Sequence, residues 1–192
     1  MGKNILVLAA TSIEIRPFIQ AFKKDELNLS NNSLDILVGG IGLTATTYHL
    51  TKQLTLKKYD RVIQAGVAGS YDLNISLGDV VAVKQDTIAD QSVVEMKKLK
   101  TLFDLKLVPH NQHPYQKDWL INPDKNILKT TGLKPVRGIS VNEISSEEPG
   151  LLSTTALRNV RKHPGSGPGR IEERVEDARV AEPGDDHRCR VL

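Results

Sequence analysis

The sequence predicts an α/β protein: three layers, α/β/α, around a mixed, largely parallel twisted sheet. Three observations carry this. Short continuous apolar runs alternate with segments of helical period. Most runs end in glycine or a turn residue. The helical segments between runs are long enough for the crossovers that parallel strands require. Residues 4–10 form the first run, a strand buried on both faces. Thr11 and Ser12 then supply a helix N-cap. Ile15, Phe18, Ile19 and Phe22 follow at i, i+3, i+4 and i+7, one apolar stripe of a helix. Pro17 falls in its first turn, where a missing N–H costs little, and Lys23 and Lys24 suit its C-terminus.

Residues 34–38 read as a second strand, the Gly39–Gly42 run as a tight junction, and 43–56 as a helix. A third strand at 61–65 is broken by Gly66 and Gly69. A turn at Leu77 and Gly78 leads to a strand at 79–84, and 88–94 continue the sheet. Residues 95–134 suit an irregular excursion with a short helix, and 136–141 read as another strand. No internal repeat is visible.

Composition narrows the function. The 192 residues suffice for one domain with a buried core. Aromatics are only 4%, too few for stacking on single-stranded nucleic acid. A net charge of +3 is too small to indicate a polyanionic partner. No apolar run approaches the roughly 18 residues of a membrane span. The first run is short and leads directly into a charged amphipathic segment, so it reads as a strand and not a signal peptide. The single Cys189 excludes an internal disulfide and a cysteine-based metal cluster. These features predict a cytoplasmic, soluble protein with no metal or cofactor.

The composition changes near residue 150. Residues 1–150 hold 15 Lys and 3 Arg, whereas 151–192 hold 1 Lys and 7 Arg. Isoleucine all but vanishes there, and Gly and Pro cluster between His163 and Gly169. Three readings compete for this tail: a disordered extension, a basic nucleic-acid arm, and a translated wrong reading frame. Acidic residues that match the arginines disfavour the second. The abrupt Lys-to-Arg switch is what the third would produce. Residues 1–148 are thus read as the α/β domain, and 149–192 as a tail of different composition.

In such folds a site lies beyond the carboxyl ends of the strands. Glu14 sits there, in a first helical turn that favours a carboxylate in any case; it is also positioned to activate water as a general base. Asp90 follows the run at 87–89 and suits a similar role or a plain surface turn. The glycine-rich strand ends let a ligand approach the backbone, although each also suits a structural turn. The five histidines show no metal spacing, the nearest being His110 and His113 in a proline-rich loop. Neither Ser12 nor Ser70 lies in a nucleophile elbow.

Several stretches together resemble the nucleoside phosphorylase/hydrolase superfamily. They are the ILVLAATSIE run ending at Glu14, the GGIG junction, VIQAGVAGS ending at Ser70, LGDVVAV at 77–83, Ala89-Asp90, and GISVNEIS at 138–145. The resemblance covers residues 1 to about 148. Its branch is the purine nucleosidases, futalosine hydrolase and methylthioadenosine/S-adenosylhomocysteine nucleosidase. The Ala-Ala-Thr opening and residues 89–95 are closer to futalosine hydrolase.

The resemblance implies hydrolysis of a purine nucleoside at its N-glycosidic bond, with a place in menaquinone biosynthesis and a homo-oligomer where the family's C-terminal part is intact. It implies Glu14 as the water-activating glutamate. Val67, Ala68 and Gly69 fall on the loop lining ribose and base, and Asn142 in the stretch flanking the base. No Arg or Lys occurs at 39–47 or 65–72 to hold phosphate, which favours hydrolysis over phosphorolysis. The family's ribose-binding acid and leaving-group acid have no match in 149–192; the resemblance ends where the composition changes, which implies an α/β domain incomplete at its C-terminus and favours the wrong-frame reading of the tail. That leaves open a catalytically dead chain that still binds nucleoside.

Overall fold

The computed structural model describes residues 2–24, 26–72, 74–95 and 98–142, together with the backbone of 189–191. The chain divides into two compact units, Met1–Val81 with Arg188–Leu192, and Ala82–His187.

The first unit is built around β1 (Asn4–Ala9), whose Leu6, Val7, Leu8 and Ala9 are all buried. Burial of a leucine side chain contributes about 1.5–3 kcal/mol, and Leu6 and Leu8 are the largest fully buried side chains described. The strand is apolar on both faces because it is covered on both. Helix α1 (Arg16–Lys23) follows it, then β2 (Ser33–Val38), helix α2 (Leu43–Leu56) and β3 (Arg61–Gln64). The sheet order is β2-β1-β3, and both pairings are parallel.

Side-chain alternation along β1 separates the two layers. Val7 and Ala9 form a cluster with Ile15, against which Phe18, Ile19, Leu34 and Ala65 pack, so α1 covers that face. Leu8 points to the other face. A Cβ on Gly39 would lie 2.7 Å from Leu8 Cδ1 and 3.7 Å from the Cα of Thr46, which puts α2 there. A side chain at Gly39 would have to displace the end of the Leu8 side chain. The unit is thus α/β/α, as predicted, and α1 carries the apolar stripe predicted for it.

Beyond β3 the chain forms β4 (Gly66–Ala68). The predicted third strand ends at Gln64, one residue earlier than expected. The strand β5 (Val80–Asp86) starts in this unit and runs into the second. The expectation for the tail, 149–192, falls outside the described residues except at a last strand, Cys189–Val191. That strand pairs antiparallel with β4 and parallel with β5 at Val80 and Val81.

In the second unit, β6 (Ser92–Glu95) and β7 (Lys98–Thr101) form a hairpin. β8 (Tyr115–Gln116) and β9 (Trp119–Ile121) form another, and β9 pairs antiparallel with β5. Its two turn residues, Lys117 and Asp118, have φ of 49° and 69°, both positive as strand twist requires in a two-residue hairpin. Helix α3 (Lys125–Thr130) and β10 (Lys134–Arg137) follow, and β10 pairs with β5. We number the tail strand Cys189–Val191 β11.

Two expectations need correction here. Residues 88–94 do not extend one strand: Ile88 makes a single parallel bridge to Ser140, and Ser92–Glu95 turns into its own hairpin. Val93 and Val94 are about half exposed, so no buried face holds them to a larger sheet. The predicted strand 136–141 begins at Lys134 and breaks after Arg137. A Cβ on Gly138 would lie 2.9 Å from Asp86 Oδ1, so the chain kinks past that carboxylate before it pairs again at Ser140.

A polar network closes the β2–α2–β3 crossover. Lys57, just past α2, and Tyr59, before β3, both donate to Asp35 Oδ2 on β2. The Lys57 ammonium first, then the Tyr59 hydroxyl, hold the Asp35 carboxyl below its ordinary range. Asp35 reciprocally holds Lys57 above its own. Burial, followed by the bond to Asp35, pushes Tyr59 up.

A depressed carboxyl stabilises the fold above its unfolded pKa and loses that contribution as pH falls through the folded value. We therefore expect Asp35→Asn to lower the thermal midpoint at pH 6. The gap from the parent should close as pH drops below about 4. Thermal melts at several pH values check this; a gap that persists at pH 2 contradicts it.

Candidate functional site

The order β2-β1-β3 creates a switch point. From β1 the chain crosses to one side, to β2, and then passes back over β1 to β3 on the other. Right-handed crossovers in opposite directions put α1 and α2 on opposite faces. The carboxyl ends of adjacent β1 and β3 thus form a topological switch point, the position where open α/β sheets bind ligands.

Four of the five predicted site residues lie at that edge. Glu14 follows β1; Val67, Ala68 and Gly69 follow β3. The edge is held by backbone bonds: Ala65 N–H donates to Leu8 O (2.8 Å), Gly39 N–H to Ala9 O (2.8 Å) and Gly40 N–H to Ala10 O (3.1 Å). Gly42, the residue before α2, has φ 88° and ψ 161°, a conformation essentially restricted to glycine. Thr46 closes this loop by donating to Gly40 O (3.1 Å).

Glu14 is half-buried. Its Oε2 accepts from the backbone N–H of Thr11 (2.9 Å) and from the Thr11 hydroxyl (3.2 Å). Glu14 N–H in turn approaches Thr11 Oγ1 (3.4 Å). This is a capping box, Thr-x-x-Glu, in the turn before α1. Helix α1 itself begins two residues later than Glu14, with no side-chain cap at Ile15, and Pro17 lies in its first turn as expected. The N-cap predicted at Thr11 and Ser12 is therefore not that of α1, whose N-cap is Ile15; Thr11 closes the turn before the helix, and Ser12 makes none of these bonds. The sequence signal for the box, residues 11–14, was present; it explains why Glu14 is fixed and does not exclude chemistry. Both bonds to its carboxylate land on Oε2, so among the described residues Oε1 is left to accept a further proton or hydrogen bond.

Val67 and Ala68 are half-buried, and Gly69 is exposed. Backbone pairing holds the first two to Arg190 and Cys189. A Cβ at Gly66 or Gly69 would meet nothing within 4 Å among the described residues, and neither has a positive φ. These glycines thus border open space and do not relieve a clash.

The fifth predicted residue, Asn142, lies in the second unit. Its backbone N–H donates to Asp90 Oδ2, and its Nδ2 to Asp90 Oδ1 (3.2 Å). Asp90, weighed in the sequence as a base or a turn residue, is thus a partner of Asn142. The nearby rungs are Ala89 N–H to Ser140 O (3.0 Å) and Ser140 N–H to Thr87 O (2.9 Å).

The loop histidine His110 has its Nδ1 2.6 Å from the nearly buried Asp118 carboxylate and stacks on Phe103. That pair was not legible in the sequence. Among the described residues no group of three or more His, Cys, Asp or Glu is arranged to hold a metal. Among the same residues no helix is long and apolar enough to cross a membrane.

The box makes a separable prediction for Glu14. Replacing it by alanine removes the cap and should cost about 0.5–2 kcal/mol of stability. Glu14→Gln keeps an acceptor oxygen and should unfold within about 0.5 kcal/mol of the parent. Denaturant unfolding of both variants checks this; equal losses would mean that the box does not hold the turn.

Comparison with known proteins bears on the fold. No protein-family model matches the chain, and no curated protein sequence does. Solved structures do. A Helicobacter pylori MTAN mutant with 5′-methylthioadenosine in its active site aligns at TM-score 0.56 and 20% identity, over 82% of this chain and 72% of that one. A futalosine hydrolase mutant of H. pylori aligns at TM-score 0.53 and 14% identity, over 83% and 86%. The 5′-methylthioadenosine/S-adenosylhomocysteine nucleosidase of Neisseria meningitidis, in complex with methylthio-immucillin-A, aligns at 0.54 and 16%, over 84% and 71%. The chain has the fold of these nucleosidases.

Proposed function

We propose that the chain is a purine nucleoside N-glycosidase, cytoplasmic and acting on free nucleosides, that uses water and no cofactor. The observation that carries this reading is the Glu14 carboxylate after β1, fixed through Oε2 by Thr11, together with the open, glycine-bordered chain after β3 at Gly66 and Gly69. Cleavage of an N-glycosidic bond builds positive charge on the ribose C1′ and O4′. An ionised carboxylate beside C1′ stabilises that charge and takes a proton from the attacking water. Oε1 is the oxygen for that transfer. Val67, Ala68 and Gly69 line the sugar and base. The known activity of the nucleosidases that share this fold supports the same chemistry.

Among nucleosides we favour futalosine over methylthioadenosine, on the Ala-Ala-Thr opening and residues 89–95, and with it a role in menaquinone biosynthesis. Residues 149–192 offer no sequence match to an acid for the ribose hydroxyls or for the leaving purine, so turnover by the chain as written is expected to be slow. Loss of a general acid alone costs about 10²–10⁴-fold. A chain with the family's C-terminal part is expected to form a homo-oligomer.

Two predictions test this reading. Purine release should proceed equally with and without phosphate, and Glu14→Gln should reduce it a further 10²–10⁴-fold, about the worth of a general base, without loss of fold. Phosphate-dependent release, or full activity in Glu14→Gln, contradicts the mechanism. Gly69→Val should leave stability within about 0.5 kcal/mol of the parent, since its Cβ meets nothing, yet weaken nucleoside binding. Calorimetric titration with a purine nucleoside reads this, and unaltered affinity removes the β3–β4 edge from the site.

A further inference from the structure

We propose that the space between β4 and the start of β5 is a strand-acceptor slot, one strand wide, and that residues 189–191 fill it as a removable strap. The strap pairs on both sides. Against β4 it runs antiparallel, with Cys189 opposite Ala68, Arg190 opposite Val67 and Val191 opposite Gly66. Against β5 it runs parallel, with Arg190 opposite Val80 and Val191 opposite Val81. All of these residues belong to the first unit. Neighbouring strands lie about 4.7–4.9 Å apart, so β4 and the start of β5 stand roughly 9–10 Å from one another, too far to pair directly. The connection between them is closed on itself. Ile75 N–H donates to Asp72 O (3.0 Å), Asp79 N–H to Ser76 O (3.1 Å) and Ser76 N–H to Asp79 Oδ2 (2.8 Å). A connection folded in this way is not the tight hairpin turn that would bring β4 onto β5.

What fills the slot is main chain. Ladder pairing uses the backbone N–H and C=O groups that every residue but proline supplies in full. A strand can therefore be drawn from a tail whose composition differs from that of the rest of the chain. The sheet order is β4-β11-β5-β9-β8, so β4 has no other ladder partner among the described residues. Removing the strap leaves unpaired backbone groups on β4 and on the first residues of β5, the template for strand addition. The ligand class is an extended peptide without proline, and the occupant is this chain's own segment 189–191. Filling the slot also holds the main chain of Val67 and Ala68, which the nucleoside reading assigns to sugar and base. That consequence rests on the nucleoside reading; the slot does not.

Hydrogen exchange of the full chain, of a variant truncated after His187 and of Arg190→Pro tests this. The amides of Leu6, Val7 and Leu8 in β1, which lies in a different sheet, are the control for folding. In both variants the amides at 66–68 and 80–81 that pair with the strap should lose protection about tenfold, the worth of about one ladder hydrogen bond. Strand β1 should stay protected. A peptide with the sequence of residues 186–192, added at about millimolar concentration, matches the effective concentration of a tethered segment. It should restore protection in the truncated chain, and the same peptide carrying Arg190→Pro should not. Unchanged protection at 66–68 in either variant, or no restoration by the peptide, overturns the slot. Loss of β1 protection in both variants also overturns it, because a removable strap leaves the β2-β1-β3 sheet folded. Titration with 5′-methylthioadenosine reads the consequence for binding. Weaker binding by the truncated chain, reversed by the peptide, supports it. Equal affinity with and without the strap overturns that consequence and spares the slot, and no binding by the parent overturns the nucleoside reading alone.

Discussion

Burial of β1 between β2 and β3 sets the geometry of the first unit. A central strand that is apolar on both faces must be covered on both, and α1 and α2 do so from opposite sides. The chain steps from β1 out to β2 and then passes back over β1 to β3, so the strand order reverses at β1. Leu6 and Leu8 on one side, and Val7 and Ala9 on the other, anchor the two layers to that strand. Gly39 lies against Leu8 on the α2 side, close to Thr46. Asp35, Lys57 and Tyr59 secure the second crossover from its far end.

Glu14 caps a turn, and the proposed reaction gives it a second role as general base. One carboxylate oxygen caps the turn before α1, and this alone would account for a glutamate three residues after a threonine. The other oxygen has no such partner among the described residues. A capping box is a good mount for a general base, since it fixes the carboxylate without using all of its acceptor capacity. The glutamine variant separates the duties, because an amide retains the cap and loses the proton acceptor.

The parts of the fold legible in the sequence were those fixed by local patterning. The apolar run of β1, the stripe Ile15, Phe18, Ile19 and Phe22, and α2 at Leu43–Leu56 were readable from periodicity and glycine punctuation. The places of Glu14 and the Val67–Gly69 loop after β1 and β3 were readable because turn residues and glycines punctuate the apolar runs. The Thr11–Glu14 box was written in residues 11–14 but was read only as a cap. The second unit was less legible for a physical reason: its pairings join residues far apart in sequence. Asp86 with Ser140, Asp90 with Asn142 and His110 with Asp118 leave no periodic trace. The hairpin at Lys117 and Asp118 was hidden as well, since both positive-φ positions lack the glycine or asparagine that marks such turns.

The central claim is that a purine nucleoside sits at the carboxyl ends of β1 and β3. Amide chemical-shift mapping of the chain titrated with 5′-methylthioadenosine tests it most directly, since it requires binding and not turnover. The account predicts that the perturbed amides are those of Ala10 to Glu14 and Ala65 to Ser70. Perturbations confined to the opposite edge, at Lys3, Ser33 and Arg61, or none at saturating ligand, would contradict it.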